Sequence, residues 1–130
     1  MINVLFSFQG RINRAKVWLA FLAWIVISAV AGAIIMAVMP AIPADGGEEA
    51  LASMGSALIP AGVVGFIYVI VAVWSGLAIG IKRFHDRDKS GWWVLIQFVP
   101  IVGPIWYFVE VFCLRGTPGP NRFGLDPLQM

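Results

Sequence analysis

Residues 58–81 read LIPAGVVGFIYVIVAVWSGLAIGI and contain no charged side chain. A helix needs roughly 20 apolar residues to cross a hydrocarbon layer about 30 Å thick, so this stretch is long enough to span a bilayer. Outward from it, residues 17–39 and 92–114 are equally apolar, and the only charge in any of the three runs is Glu110. Together they fill more than half of the 130 residues. A composition of 60% hydrophobic and 12% charged residues is too apolar for a soluble domain of this length. Hydrocarbon offers backbone amides no partner, and the runs lack the alternation of a barrel strand. The expected fold is therefore an all-α membrane protein, with one integral-membrane domain over residues 1–130.

The first run is preceded by Arg11, Arg14 and Lys16 and followed by Ala41 and Ala44, as the core of a secretory signal would be. Its 23 residues exceed the roughly 7 to 15 of such a core, so it is read as a retained span. Cys113 is the only cysteine, which excludes an intramolecular disulfide.

Basic residues are unevenly placed. Arg11, Arg14 and Lys16 precede the first run, Lys82, Arg83, Arg87 and Lys89 follow the second, and Arg115 and Arg122 lie in the tail, residues 115–130. The connection 40–57 instead carries Asp45, Glu48 and Glu49. The positive-inside rule then puts the N-terminus and the 82–91 loop in the cytoplasm. A net charge of +2 gives no sign of a nucleic-acid partner.

Pro100 and Pro104 flank Gly103 in the third run, and each proline removes an amide donor and obstructs the preceding turn, so a break near Gly103 is expected. Two outcomes are open. A kinked third span would leave the tail outside, whereas a re-entrant hairpin would return the tail, and with it every basic residue, to the cytoplasmic side. Charge favours the hairpin and length favours the span. Gln97 and Glu110 are the intramembrane polar residues. In a hairpin they share one depth and can pair; in a span Glu110 can snorkel to Arg115, the cheaper arrangement.

Trp18, Trp92 and Trp93 sit where amphipathic indoles mark the cytoplasmic interface. Ala29, Ala33 and Ala37 repeat at four-residue spacing in the first run, as do Ala72, Gly76 and Gly80 in the second. Small residues allow close helix approach, so the two stripes are expected to face one another, with a homodimer through the second stripe as the competing reading. Before the first helix, residues 2–8 are apolar enough to lie in the headgroup zone, Gly10 suits a turn and Asn13 an N-cap. The outer connection holds only a short helical stretch at residues 48–54.

The remaining polar residues concentrate in FSFQGRINRAKVW from Phe6, KRFHDRDKSGWW from Lys82 and RGTPGPNRFGLDP from Arg115. These stretches contain three ordered motifs. The first is Phe8, Gly10 and Arg11; the second is Arg83, His85, Asp86, Asp88, Ser90, Trp92 and Trp93; the third is Gly116, Thr117, Pro118, Gly119, Asn121, Arg122, Phe123 and Gly124. Through them nearly the whole chain resembles the bacterial inner-membrane family known as domain of unknown function 805, the YhaH-like proteins. The resemblance implies an inner (plasma) membrane location and no particular activity, substrate or cofactor.

Arg11, Arg14, Arg83, His85, Asp86, Asp88, Ser90, Asn121 and Arg122 form the candidate functional or architectural face. Asp86, Asp88, Ser90 and Gly91 match the first four ligand and turn positions of a calcium loop, but its closing bidentate Glu is replaced by Gln97 inside the third run. His85 beside Asp86 and Asp88 needs a distant ligand to complete a transition-metal site. No catalytic residue, cofactor or metal is assigned. The leading reading is an ion-pair network in which Asp86 and Asp88 neutralise Arg83, Arg87, Arg11 or Arg14 and fix a turn. The next is recognition of anionic lipid headgroups by the basic loop and N-terminus.

In function these features describe a small non-enzymatic membrane protein that contacts the lipid bilayer and either itself or another membrane protein. Two alternatives stand beside it. One is an oligomeric transporter or channel component relying on Gln97, Glu110, Ser28 and Ser75. The other is an interfacial enzyme using His85, Asp86 and Asp88.

Overall fold

The computed structural model describes residues 5–38 and 47–129. Four helical elements account for most of them: α1, Arg14–Val38; α2, Glu48–Asp86; a 3₁₀ helix, Gly91–Phe98; and α3, Val102–Phe108, which runs into a π-helical turn at Val109–Cys113. A single bridge between Asn121 and Gly124 is the only β-type pairing among the described residues.

Helix α1 begins where the sequence predicts. After a turn at Gly10, with φ of +87°, Asn13 Oδ1 accepts the Lys16 amide at 2.9 Å and caps the helix. At 25 and 39 residues, α1 and α2 extend about 37 and 58 Å, against roughly 30 Å of hydrocarbon. Only 6% of the most apolar window in either helix is buried. A core helix of a soluble protein would be mostly covered, whereas here Val26, Met36, Ile59 and Phe66 face outward, as they do when lipid is the solvent. Helix α2 also starts well before the apolar run, with Glu48 and Glu49 in its first turn, where carboxylates complement the helix dipole. The short helix expected at residues 48–54 is thus the opening of one continuous helix that passes through Pro60. Residues 40–46 of the outer connection, including Asp45, lie outside the described residues.

The chain forms two compact units, and both helices contribute to each. In residues 23–72, Trp24 rests edge-on against Tyr68, ring centroids 5.7 Å apart. The Ser28 hydroxyl lies 2.7 Å from Tyr68 Oη and also contacts the Trp24 carbonyl at 2.6 Å. Ala29, Ala33 and Ala37 are exposed. The other unit, residues 1–22 with 73–130, holds the buried cluster Ile12, Val17, Ala20, Ile79, Phe84, Val94 and Val111. There Gly80 is covered by Tyr107 and Val94 of the third segment, while Gly76 has open space above it. The expected facing of two small-residue stripes is therefore not what is found. The first stripe lies open, and the close approach at Gly80 admits the third segment.

That third segment turns back on itself. Ser90 Oγ accepts the Trp92 amide at 3.5 Å and opens the 3₁₀ helix. Pro100 ends it, because the residue before a proline is pushed out of helical space, and Val99 is extended at φ −75°, ψ 119°. Ile101 then takes φ 65°, ψ −61°, with the Val102 amide donating to the Pro100 carbonyl at 2.7 Å. This is a γ-turn of the strained hand. Pro104 falls in the first turn of α3, where its missing amide costs no hydrogen bond.

The legs, Gly91–Phe98 and Val102–Cys113, reach about 16 and 18 Å, roughly half a bilayer. Gly103 is buried between them, and a Cβ there would collide with the Ile96 carbonyl. Of the two sequence expectations, the hairpin is the one formed. Its break lies at residues 99–101, one turn before Gly103, because one proline ends the first leg and the other starts the second.

Residues 5–8 run alongside α2. Trp74 Nε1 donates to the Phe6 carbonyl at 3.2 Å, and Phe8 packs on the Trp74 ring, centroids 5.0 Å apart. Trp74 lies about 10 Å inside the apolar run, so this stretch follows the helix inward and does not lie flat at its end. Residues 2–4 lie outside the described residues.

Two substitutions at the hairpin should act in opposite directions. Gly103→Ala is expected to destabilise the protein by about 3 kcal/mol, since the obstacle is backbone. Ile101→Gly should stabilise it by about 1 kcal/mol by relieving a positive φ at a β-branched residue. Equilibrium unfolding in mild detergent measures both, and two negligible effects would show that the hairpin does not persist in solution.

Candidate functional site

Helix α2 ends in a way that explains the central loop motif. The Asp88 amide donates to the His85 carbonyl at 3.0 Å and the Lys89 amide to the Phe84 carbonyl at 2.9 Å, with Asp88 left-handed at φ 56°. This closure normally uses glycine at that position; an aspartate tolerates it better than most residues. Its carboxylate pairs with Arg122 Nε at 3.2 Å on the exposed surface, where such a pair contributes little.

Asp86, the last residue of α2, is the point at which all three motifs meet. Its Oδ1 accepts Arg11 Nε at 3.1 Å and its Oδ2 pairs with Arg83 Nη1; all three side chains are buried. Its carbonyl accepts the Thr117 amide at 2.8 Å and the Thr117 hydroxyl at 3.0 Å. Gly116 passes so close that a Cβ would strike the Asp86 carboxylate, which accounts for the glycine at the start of the tail motif. Arg11 also binds the tail directly, donating to the carbonyls of Thr117 at 2.7 Å, Gly119 at 2.8 Å and Gly124 at 3.3 Å. Asn121 Nδ2 donates to the His85 carbonyl at 2.9 Å and to Thr117 Oγ1 at 3.1 Å.

A second set of arginines caps the end of the hairpin. Arg83 Nε donates to the Val111 carbonyl at 2.9 Å, and its Nη2 bonds the Leu114 carbonyl. Arg14 Nη1 takes Cys113 at 2.9 Å, and Arg87 Nη1 takes Arg115 at 2.9 Å. The last carbonyls of a helix lack intrahelical donors, and in apolar surroundings water does not replace them. Cationic donors at that end also complement the helix dipole.

Glu110 is buried and held by Lys89 Nζ at 2.6 Å, by Arg87 Nε and by Trp106 Nε1 at 3.2 Å. Both expectations for it are corrected. It does not snorkel to Arg115, and Gln97, half-buried on the other leg, is not among its partners. The fold-back sets Glu110 beside the start of the first leg, where the cations of the 82–91 loop are nearest. Lys89 Nζ also lies 5.2 Å from the centre of the Trp93 ring.

His85 stacks on Phe123 with ring centroids 3.9 Å apart and planes 6° from parallel. Its Nδ1 is 3.3 Å from the Gly10 carbonyl, which can only accept, so Nδ1 carries the proton in this contact. His85, Asp86 and Asp88 therefore face different partners and do not converge. No group of three His, Cys, Asp or Glu side chains is arranged around one point among the described residues. The calcium-like spacing reads instead as a helix stop followed by Ser90 capping the next helix.

Several contributing residues escaped the sequence reading. Lys89 was visible only as a charge, although an intramembrane carboxylate calls for a cationic partner. Thr117 belongs to the tail motif, and nothing local to it signals its bond to Asp86. Asp126 carries a local signal as well, since an aspartate before a proline favours a turn. Its Oδ1 accepts the Leu128 amide at 2.9 Å and its Oδ2 the Gly119 amide at 3.0 Å. These two amides hold its carboxyl below the ordinary range.

Asp86→Asn should destabilise the fold by about 3–5 kcal/mol, because two buried guanidinium groups lose their counter-charge. Asp88→Asn should change it by less than about 1 kcal/mol. Denaturant unfolding separates the two. Because the folded pKa of Asp126 is depressed, its contribution is present above the usual carboxylate pKa of about 3.9 and is lost as pH falls through the lower folded value. Amide exchange at Gly119 and Leu128 is therefore expected to accelerate on acidification below about pH 4 beyond its intrinsic trend, and Asp126→Ala should abolish that step.

The chain is similar to a family of known proteins along most of its length. The model of a family described as "Protein of unknown function (DUF805)" matches residues 5–125. Inner membrane protein YhaH of Escherichia coli is 35% identical over 122 residues, covering 93% of this chain and 87% of its own. Inner membrane protein YhaI of the same organism is 36% identical over 122 residues, covering 93% and 86%. Uncharacterized protein YiiR, also from Escherichia coli, is 24% identical over 146 residues, covering 94% and 86%. No solved structure matches the chain significantly.

Proposed function

Since the chain belongs to the DUF805 family of membrane proteins, we propose that it is a small non-enzymatic protein of the bacterial inner membrane that contacts other membrane components through one polar face. The N-terminus, the 82–91 loop and the tail lie in the cytoplasm in this reading. The observation that carries it is Asp86 held between Arg11 and Arg83, with Thr117 on its carbonyl, because one residue ties the three polar stretches to the same end of the helices.

Charge supports the orientation. All nine basic residues belong to the unit that contains this end, together with four of the seven acidic ones. Such an excess of lysine and arginine marks the cytoplasmic side. The enzymatic alternative loses support from the separate engagement of His85, Asp86 and Asp88. The transporter alternative loses support from the pairing of Glu110 and from the contacts that occupy the Ser28 hydroxyl.

A reporter fused after Met130 tests the orientation. A fluorescent protein that matures only in the cytoplasm should be bright, and a phosphatase that works only outside it should be silent. The reverse pattern would overturn the reading. Site-specific cross-linking from the polar face in intact cells should give discrete adducts, and a strict monomer without adducts would remove the interaction role.

A further inference from the structure

We propose that the cleft between the start of α1 and the tail binds the phosphate of an anionic glycerophospholipid, whose acyl chains lie along an aromatic rail formed by Trp18, Phe21, Phe112 and Phe108. The inference deepens the reading above by naming the membrane component met by the polar face.

The cleft has a volume of about 370 Å³, within the range of small-ligand sites, and its walls include Asn13, Arg14, Trp18, Phe112, Arg115 and Thr117. The arginines of this protein are otherwise committed. Arg11, Arg83, Arg87 and Arg122 each bind a carboxylate and at least one carbonyl. Arg14 spends a single nitrogen on Cys113, leaving most of its donor fork available. Arg115 lines the same cleft, where its guanidinium feels the charge of Asp126 but makes no hydrogen bond or close ion pair among the described residues. Two planar donor forks suit a phosphate.

Two carboxylates, Asp86 and Asp126, also reach this cleft, and neither is free to oppose an anion fully. Asp86 is neutralised by Arg11 and Arg83, and Asp126 turns its oxygens to the Gly119 and Leu128 amides. An exposed pair of cations beside them disfavours a headgroup that carries its own ammonium.

The floor of the cleft points to a lipid as the source of the phosphate. Trp18 and Phe112 line the cleft with ring centroids 5.2 Å apart. Phe21 lies 5.8 Å from Phe112 and Phe108 5.2 Å from it, each about one helical turn farther from the polar end. Trp18, Phe21 and Phe108 remain exposed. A soluble phosphate has no use for such a rail, whereas an amphiphile matches both parts.

The test is native mass spectrometry of the full chain in neutral detergent, with phosphatidylglycerol, phosphatidylcholine, glycerol 3-phosphate or inorganic phosphate added separately. One phosphatidylglycerol should be retained per chain in preference to phosphatidylcholine. Arg115→Gln should weaken that retention about tenfold, the loss of one charge-assisted contact, while Arg122→Gln leaves it unchanged. Phe108→Ala should weaken lipid retention and leave glycerol 3-phosphate unaffected. Circular dichroism should show Arg115→Gln fully folded, since only a longer-range attraction to Asp126 is lost and no hydrogen bond.

Absence of bound lipid, or equal losses in Arg115→Gln and Arg122→Gln, would overturn the site. Soluble phosphates binding as tightly as the lipid would overturn the lipid assignment. The measurement does not depend on membrane orientation. A tail found outside by the reporter fusion would therefore sink the orientation alone, and failed binding with a cytoplasmic tail would sink the cleft alone.

Discussion

Hydrocarbon does not hydrogen-bond, and a helix that ends near it leaves carbonyls that must find donors within the protein. Two such ends meet here, the C-terminus of α2 and the C-terminus of the hairpin's second leg. The first is closed by backbone amides and by Thr117 and Asn121 from the tail. The second is closed by Arg83, Arg14 and Arg87, each reaching a different carbonyl or pair of carbonyls. Arginine suits this task because its planar fork offers five donors and its charge is lost less readily than lysine's. Asp86 makes the arrangement tolerable, since a buried guanidinium without a counter-charge would be strongly unfavourable.

Placing Arg83 at the junction couples elements distant in the chain. The same side chain touches the helix that carries it, the end of the hairpin and, through Asp86, the Arg11 that grips the tail. Glu110 repeats the pattern on a smaller scale by drawing Arg87 and Lys89 onto the second leg. The hairpin is thus anchored at its polar end by ion pairs and packed along its length by Gly103 and Gly80. Its tip keeps a strained γ-turn at Ile101, which these anchors have to outweigh.

Most motif residues have a structural task on this account. Gly116 makes room for Asp86, Ser90 starts a helix, Asp88 ends one, and Asn121 joins the tail to His85. A signature of this kind describes how a chain closes on itself at one end of its helices. Arg115 stands apart, being charged and exposed and lining a cleft without a hydrogen bond or close ion pair of its own among the described residues. That contrast separates maintenance of the fold from a surface available to a ligand.

Local pattern was enough for several features that depend on a short stretch of chain. Run length and absence of charge revealed the two long helices, Asn13 the cap, Gly10 the turn, and the two prolines the break in the third segment. The choice between a kinked span and a hairpin lay beyond such reading, because residues 92–114 satisfy the length of one and the charge balance of the other. It was resolved by contacts between residues far apart in sequence: Gly103 against Ile96 across the turn, Tyr107 against Gly80, and Arg83 against Val111 and Leu114. The partners of Glu110 and Asp86 belong to the same class. A side chain's charge is written in its residue type, whereas the group that balances it depends on which segments the folded chain brings within reach.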